Sequence, residues 1–377
     1  MNWSKGTKSI AIARHHRVLC SSVSAGFVAP TITPQIVFNR YDLLLSIGRN
    51  LAMRTASRTM IKALAAGRAP LLKHLVDNTN APFRLSSKLA DLGDAALAYL
   101  SHDIGVGVAG LHMEAMGYVW RANGKEILPS GERFPDYVWD TGVANGGVVL
   151  SEAKGATSVR SSFGTVDIRA RDGIFDQVIP RIGKTTIQGD DILAGYAFGV
   201  FAAGGQDAKT AAYETKYYTG ATPSDPGDRP SAAILQSHFA GIMRLLGLDD
   251  KRSSSDLLEG RISFAVFGDD DQKFVVPEQD VHGRPRPLRF DNSIYFALSL
   301  DVAVRALRMR FAFGDEGREK LERWPRFPAR PEVLPRGVLA LAPDGLALVS
   351  RFARRGPSLG WDPGRNFFPL DRTKGAS

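Results

Sequence analysis

The first hundred residues combine a segment without hydrophobic periodicity and a segment with helical periodicity. Residues 1–40 are rich in Ser, Thr and Pro, so we expect a loosely ordered basic arm there. From Asp42 to Ala66 the apolar residues fall at helical spacing, and Arg54, Arg58 and Lys62 recur every four residues. This pattern predicts an amphipathic basic helix. Its cationic side either lies along a nucleic-acid backbone or is simply solvated.

Two more helices are predicted before the pattern changes. One covers about 87–100, with Ser86 or Ser87 capping its first turn. The other covers about 106–116 and stops at Gly117, so this part of the chain is expected to be helical throughout.

Strand patterns with one intervening helix follow. YVWRANGKEIL, with Asn-Gly at its tip, indicates a hairpin, RFPDYVW a strand, and GGVVLSEAKG a strand that leaves a glycine turn. Residues 160–185 should supply a helix, and ILAGYAFGVFAA is apolar enough for a strand buried on both faces. Together with the helix before them, these segments give the order α, β, β, β, α, β.

The last third of the chain is predicted to be mixed. AAILQSHFAGIMRLLGL indicates a helix closed by Gly247, in which His238 is expected to be a satisfied core histidine, and a boundary follows near Asp250. Beyond it, RISFAVFG predicts a strand, 293–309 a helix, and GVLALAPDGLALVSR a hairpin that turns at 343–345.

The composition restricts the cellular compartment in which we expect the protein and the kind of metal site that it can form. The single cysteine, Cys20, excludes an intramolecular disulfide and a cysteine-based zinc site, and it fits a reducing cytoplasm. No apolar run reaches the roughly 18 residues that a membrane-spanning helix needs. We therefore expect a cytoplasmic protein without a membrane partner, and any metal should be held mainly by oxygen ligands.

The positive charge lies at the two ends of the chain, whose net charge is +9. Residues 1–75 hold eleven Lys and Arg against the single acid Asp42, and residues 320–377 hold eleven against five acids. Such flanks can bind phosphates while the centre performs metal chemistry. The other reading is that they merely keep the protein soluble or contact a partner.

Candidate chemistry lies in the predicted strands of the middle segment. Asp136 follows Pro135 in RFPDYVW, and sixteen positions later VVLSEAKG presents Glu152 and Lys154. Residues two apart on a strand point to the same face, so Glu152 and Lys154 should enter one site. A hairpin return would bring the Asp136 carboxylate beside them.

The tripeptide acid-x-Lys is not specific by itself. It occurs five times in the chain, beginning at Glu152, Asp207, Glu214, Asp249 and Asp271. Only the first follows a Pro-Asp pair at short separation, a glycine turn and an unbroken apolar strand. The structural alternative is that Asp136 caps a turn while Glu152 and Lys154 form an exposed ion pair, worth under roughly 1 kcal/mol.

Pro-Asp followed by an apolar strand that ends in SEAKG resembles the signature of the PD-(D/E)XK nuclease superfamily, which includes restriction enzymes, junction resolvases and repair nucleases. The resemblance implies an α/β, restriction-endonuclease-like core in the order α, β, β, β, α, β, with a mixed central sheet flanked by helices. We assign the core to 105–250, after the arm (1–40) and a helical basic region (41–104), and before a mixed α/β C-terminal region (251–377). Many members carry a glutamate on the first core helix, and Glu114 occupies that place.

The same resemblance implies a role for each of these residues. Asp136 and Glu152 would bind Mg²⁺ or Mn²⁺, joined by the carbonyl of Ala153. Lys154 would orient or deprotonate the attacking water and steady the pentavalent phosphate. Glu114 would add a ligand or fix a metal-bound water.

The expected activity is hydrolysis of phosphodiester bonds in DNA rather than RNA, by an endo- or exodeoxyribonuclease that serves restriction, repair or defence. Restriction-like enzymes often form homodimers to cut two strands, although nothing in the sequence identifies an interface. Gln177, on the predicted helix after Lys154, matches no family motif and has no assigned role. The alternative function is a non-catalytic nucleic-acid-binding or assembly protein that keeps the nuclease-like fold.

Overall fold

The described part of the chain is an α/β structure in which a mixed central sheet is flanked by helices, followed by a second sheet. No helix within it is long and apolar enough to cross a membrane. The computed structural model describes residues 3, 6–20, 26–52, 67–68, 70–78, 82–129, 133–140, 148–157, 161–183, 186–187, 190–218, 231–248, 264–269, 272–277, 294–311, 327, 334 and 337–350.

The central sheet contains both parallel and antiparallel neighbours. Its described strands are β1 (Lys8–Cys20), β2 (Thr31–Phe38), β3 (Trp120–Asn123), β4 (Tyr137–Asp140), β5 (Val148–Ala156), β6 (Thr186–Ile187), β7 (Asp190–Phe201) and β8 (Lys209–Tyr218). They follow the order β2-β1-β8-β7-β5-β4-β3, and β6 pairs with β7. β3, β4 and β5 form an antiparallel meander, β5 is parallel to β7, and β1 is parallel to β8.

Helices cover both faces of this sheet. The described helices are α1 (Arg40–Ala52), α2 (Asp94–Ala115), α3 (Gly124–Ile127), α4 (Phe163–Gly173), α5 (Ala232–Leu246) and α6 (Leu300–Phe311). α2 lies on one face, so close that a Cβ on Gly155 of β5 would be 1.8 Å from the Ser101 carbonyl oxygen. α4 lies on the other face, where a Cβ on Gly199 of β7 would be 2.6 Å from the Val166 carbonyl oxygen.

The order α2, β3, β4, β5, α4, β7 is the order predicted from the sequence, with the short α3 and β6 as additions. β7 is buried along most of its length, as its apolar pattern predicts, because β5 and β8 pair with its edges and helices cover its faces. The helix predicted to close at Gly247 is α5, and Gly247 adopts the left-handed conformation with φ 76°.

The N-terminal segment differs from the predicted loose arm over residues 1–40. β1 and β2 belong to the central sheet, and β1 pairs with β8 along ten residues. Because Arg14 and His15 are polar, the hydrophobic pattern of the sequence does not indicate this strand. In the fold Arg14 binds Glu214 at 2.6 Å and the His15 ring stacks on Tyr213, so both polar groups have partners on the neighbouring strand.

The predicted boundaries also change in the helical part. The two helices expected at 87–100 and 106–116 are one helix, α2, preceded by a 3₁₀ turn at Ser87–Asp91 that Ser86 caps. Its internal glycines resemble a break in the sequence, but they allow close packing against the sheet and α1. The predicted Asn-Gly hairpin tip is instead a helix start, where the Asn123 side chain accepts a hydrogen bond from Lys125 N–H at 2.9 Å.

A second, antiparallel sheet follows in the C-terminal region. Its described strands are β9 (Phe264–Asp269), β10 (Gln272–Pro277), β11 (Ile294–Ser299), β12 (Val338–Leu341) and β13 (Leu346–Ser350), in the order β12-β13-β11-β10-β9. The helix predicted at 293–309 starts later, at Leu300, because residues 294–299 form the fully buried strand β11. The hairpin predicted to turn at 343–345 is confirmed, with Gly345 at φ 83°.

Candidate active site

Asp136 and Glu152 lie side by side because β4 and β5 are antiparallel neighbours. The register pairs Tyr137 with Ser151, so Asp136, which immediately precedes β4, lies opposite Glu152. Each carboxylate accepts a hydrogen bond from the other segment's backbone. The Asp136 N–H donates to Glu152 Oε2, and the Ala153 N–H donates to Asp136 Oδ2, both at 2.9 Å. The sheet thus holds the two carboxylates together, as the strand pattern predicts.

Lys154 and Gln177 complete the group around Glu152. Glu152 and Lys154 point to the face covered by α4, since a Cβ on Gly173 would lie 3.0 Å from Glu152 Cγ and 3.7 Å from Lys154 Cε. The Lys154 ammonium donates to Glu152 Oε1, and Gln177 Nε2 donates to the same oxygen at 3.0 Å. We call Asp136, Glu152, Lys154 and Gln177 the Glu152 cluster.

The electrostatics of the cluster centre on Glu152, which is 2% exposed. Burial raises the pKa of Glu152 to about 7, and the neighbouring charge of Asp136 adds to this effect. The Lys154 ammonium acts in the opposite direction without cancelling the shift. Near neutral pH the cluster therefore favours either a proton or another cation beside the two carboxylates.

Gln177 reaches the cluster from a five-residue π turn, Ile174–Val178, that continues α4. Asp176 of the same turn pairs with Arg133 in the segment that leads into β4. The turn therefore holds the Gln177 amide that bonds Glu152 and, through Asp176, contacts the segment that leads into β4. The sequence analysis gave Gln177 no role because it matches no family motif. Helical periodicity could not have found it either, since a π turn shifts the helical phase and the period of α4 does not predict where its side chain points. π turns are frequent at functional sites.

A second acid-x-Lys tripeptide shows what is particular to the Glu152 cluster. Glu214 and Lys216 of β8 form an ion pair at 3.0 Å, and Arg14 binds the other Glu214 oxygen at 2.6 Å. Burial alone would raise the pKa of Glu214, but the hydrogen bond from Lys216 and the charge of Arg14 outweigh it and lower the pKa. Beside Glu152 lies a second carboxylate, that of Asp136, whereas beside Glu214 lies the guanidinium of Arg14.

No known protein family, curated protein or solved structure matches this chain. Any functional conclusion therefore rests on the geometry and sequence pattern of the Glu152 cluster.

The structure does not bring Glu114 to the Glu152 cluster. Its carboxylate is bonded to Arg49 of α1, on the side of the sheet that α2 covers, whereas Glu152 faces α4. Burial raises the pKa of Glu114, although the charge of Arg49 opposes the shift. Because Arg49 occupies the carboxylate that the resemblance assigned to the metal, we remove Glu114 from the candidate ligands.

Glu114 belongs instead to a buried polar network. Arg49 also binds Asp344 of the C-terminal hairpin at 2.7 Å, and His238 Nε2 lies 2.8 Å from the same Asp344 oxygen. Burial alone would raise the pKa of Asp344, but Arg49 and His238 hold it well below its usual range. His238, which is 0% exposed, is thus a satisfied core histidine as predicted. No sequence spacing signals this network, since its members come from α1, α2, α5 and the hairpin.

Arg54, Arg58 and Lys62, the predicted nucleic-acid contacts, lie outside the described residues. Across the described ranges, no group of three or more His, Cys, Asp or Glu side chains is placed to hold a metal ion. The Glu152 cluster itself contributes two carboxylates.

Proposed function

We propose that this chain is a metal-dependent nuclease with a restriction-endonuclease-like core of the PD-(D/E)XK type, and that it hydrolyses phosphodiester bonds of DNA. The observation that carries the proposal is the reciprocal pairing of Asp136 and Glu152 through each other's backbone segments, with Lys154 bonded to Glu152. The order α2, β3, β4, β5, α4, β7 supports it, because the resemblance implies this order around these three residues.

The donor set fits a hard divalent cation. Asp136 and Glu152 offer carboxylate oxygens, and two carboxylates can suffice because Mg²⁺ usually keeps several of its waters. The raised pKa of Glu152 reflects a buried carboxylate beside a second one, and a cation would relieve that repulsion. Asp136, Glu152 and the carbonyl of Ala153 would hold Mg²⁺ or Mn²⁺, which when bound supplies charge neutralisation and an activated water.

The other side chains of the cluster would have separate tasks. Gln177 holds the Glu152 carboxylate in place, and the Ala153 N–H fixes Asp136. Lys154 is only partly buried and carries three N–H donors on the same face of β5. Its ammonium would orient the attacking water and stabilise negative charge that grows on the phosphorus oxygens.

Cleavage of plasmid and single-stranded DNA in Mg²⁺, Mn²⁺ or EDTA tests the proposal. We expect metal-dependent cutting by the wild type, its abolition in Asp136→Ala, and a loss of about 10²- to 10⁴-fold in Lys154→Ala. Lys216→Ala is the matched control, because Lys216 makes the same ion pair with a glutamate two positions before it, but that glutamate binds Arg14. It should cut at the wild-type rate. Equal losses in the two lysine variants, or cutting that persists in EDTA, would contradict the assignment.

A non-catalytic nucleic-acid-binding or assembly protein is the second candidate. Two observations favour it: Lys154 is engaged by Glu152, and the described ranges place no third carboxylate or histidine with the pair. Such a protein would bind plasmid DNA in EDTA and leave it intact in both metals. Asp136→Ala would then bind DNA as well as the wild type does.

A further inference from the structure

The π turn that carries Gln177 also carries an exposed aromatic ring. Phe175 is 43% exposed although it precedes Gln177 by only two residues. Its ring meets the Phe27 ring edge-on at 5.7 Å, and the Arg17 guanidinium lies 5.5 Å from its centroid. Arg17 is also 5.8 Å from the Phe27 ring. We call Arg17, Phe27 and Phe175 the aromatic platform.

The aromatic platform and the Glu152 cluster lie on the same side of the sheet. Glu152 is paired in register with Ala197 of β7, Ala197 with Tyr213 of β8, and Tyr213 with His15 of β1. Paired residues share a face, so this row lies on the α4 side, and its two ends are three strand spacings, or about 14 Å, apart. Arg17 is two residues beyond His15 on the same face. α4 covers the row between the two groups, because Tyr213 donates to Asp167 of that helix. A strand of nucleic acid would therefore reach both groups along the π turn, in which Phe175 and Gln177 are two residues apart.

The chemistry of the platform matches unpaired bases better than a closed duplex. Bases stack on aromatic rings through their π faces, which are covered by neighbouring bases in a duplex but free in a single strand. An arginine held against the rings adds a positive charge for the phosphates and cation–π attraction. An exposed phenylalanine would gain nothing from a duplex backbone that presents only phosphate and sugar.

We propose that the aromatic platform binds single-stranded DNA by stacking an unpaired base on Phe175, so that the adjoining phosphodiester enters the Glu152 cluster. This inference rests on the proposed nuclease function for the role of the cluster, but the binding itself can be measured without cleavage. The substrate class is then DNA with unpaired nucleotides, such as a single strand, a flap or an end.

The test is fluorescence anisotropy of a labelled single-stranded oligonucleotide and of its duplex, both in EDTA. We expect Phe175→Ala to weaken single-strand binding about 5- to 100-fold and duplex binding much less, with Phe175→Trp near wild type. Tyr99→Ala is the matched control, because Tyr99 is 62% exposed and has Arg68 5.8 Å from its ring, but lies on α2, across the sheet. It should bind as the wild type does.

Three results would overturn the inference: equal effects of Phe175→Ala and Tyr99→Ala, equal weakening for single strand and duplex, or a wild type that binds neither DNA. The outcome is separable from that of the nuclease proposal. Loss of single-strand binding in Phe175→Ala without cutting by the wild type in Mg²⁺ or Mn²⁺ would retain the platform and reject the nuclease. If Phe175→Ala changes neither the binding nor the cutting of single strands, the nuclease proposal is retained and the platform is rejected.

Discussion

Glu152 and Glu214 are alike in sequence context and opposite in electrostatic state. Both begin a Glu-x-Lys tripeptide on a strand of the central sheet, and in both the lysine binds the glutamate. The pKa of Glu152 rises to about 7, whereas the pKa of Glu214 is lowered. Burial acts to raise both pKa values. For Glu152 the Asp136 carboxylate adds to this effect, whereas for Glu214 the Lys216 hydrogen bond and the Arg14 guanidinium outweigh it. Only the arrangement around Glu152 leaves negative charge that a metal ion could neutralise.

This difference predicts opposite effects of Glu152→Gln and Glu214→Gln on stability. The folded pKa of Glu152 is raised, so its contribution to the free energy of unfolding is complete below pH 4.5 and is lost as pH rises toward 7. Glu152→Gln should therefore be more stable than the wild type at pH 8, by at most about 3 kcal/mol, but not at pH 4.5. Glu214 is stabilising above its unfolded pKa, so Glu214→Gln should lose stability at pH 8.

Urea unfolding of both variants at pH 4.5 and 8, in EDTA so that no metal contributes, measures these signs. The same direction of change for both variants at pH 8 would show that the Asp136 carboxylate does not control Glu152.

The residues that sequence reasoning placed correctly are those whose partners lie nearby in the chain. Asp136, Glu152 and Lys154 belong to one hairpin, so strand alternation and antiparallel return suffice to bring them together. Glu114 was misplaced because its partner, Arg49, comes from another helix 65 residues away, and no local pattern indicates that pairing.

At the scale of elements, α2 packs closely against β5 directly beside the cluster. Gly155 directly follows Lys154 and faces the opposite side of the sheet, where its Cα meets the α2 backbone at Ser101 and Gly105. This contact sets how far β5 stands from α2. The position of Glu152 and Lys154 on the other face follows from it.

Gly155→Ala should therefore destabilise the protein by about 1–3 kcal/mol, because the new Cβ would lie 1.8 Å from a backbone oxygen. Gly164→Ala in α4 is the control: its Cβ would meet only Ser162 Oγ at 3.7 Å, an ordinary contact. That variant should be unchanged or up to about 1 kcal/mol more stable, since alanine favours a helix. Denaturant unfolding compares the two. Similar values would mean that α2 can move away from β5 at little cost.

Strong apolar runs made β5 and β7 predictable, because a strand between two neighbours needs apolar residues on both faces. β1 was missed for the opposite reason. Arg14, His15 and Arg17 make it polar, and the β8 partners of Arg14 and His15 lie about 200 residues away in the sequence. Polar strands that are satisfied across a sheet cannot be distinguished from loops by hydrophobic period alone.

At the scale of the whole molecule, the buried network ties the C-terminal sheet to the helices of the core. Asp344 lies at the turn between β12 and β13, yet it binds Arg49 of α1 and His238 of α5. Arg49 in turn binds Glu114 of α2. The C-terminal region, in which the sequence analysis found no motif, therefore supplies one of the two carboxylates that bind a fully buried arginine.

Asp344→Asn should lower the free energy of unfolding by about 3–5 kcal/mol, because it removes one member of a buried ion pair and leaves Arg49 undercompensated. Asp301→Asn, at an exposed position in the first turn of α6, should change it by less than about 1 kcal/mol. Thermal and denaturant unfolding measure both. An Asp344→Asn protein as stable as the control would mean that the network does not join the sheet to the helices.

The contacts made by the π turn at 174–178 depend more on the number of residues in it than on any one of them. Three consecutive residues of this turn are directed to three different places: Phe175 to Arg17, Asp176 to Arg133, and Gln177 to Glu152. A substitution removes one of these contacts and leaves the other two. Deleting Ile174, which precedes all three residues, would instead rotate their side chains around the helix axis, by about 100° for an α-helical step. All three contacts would then be lost together. A change in the number of residues in this segment should therefore cost more contacts than any single substitution in it.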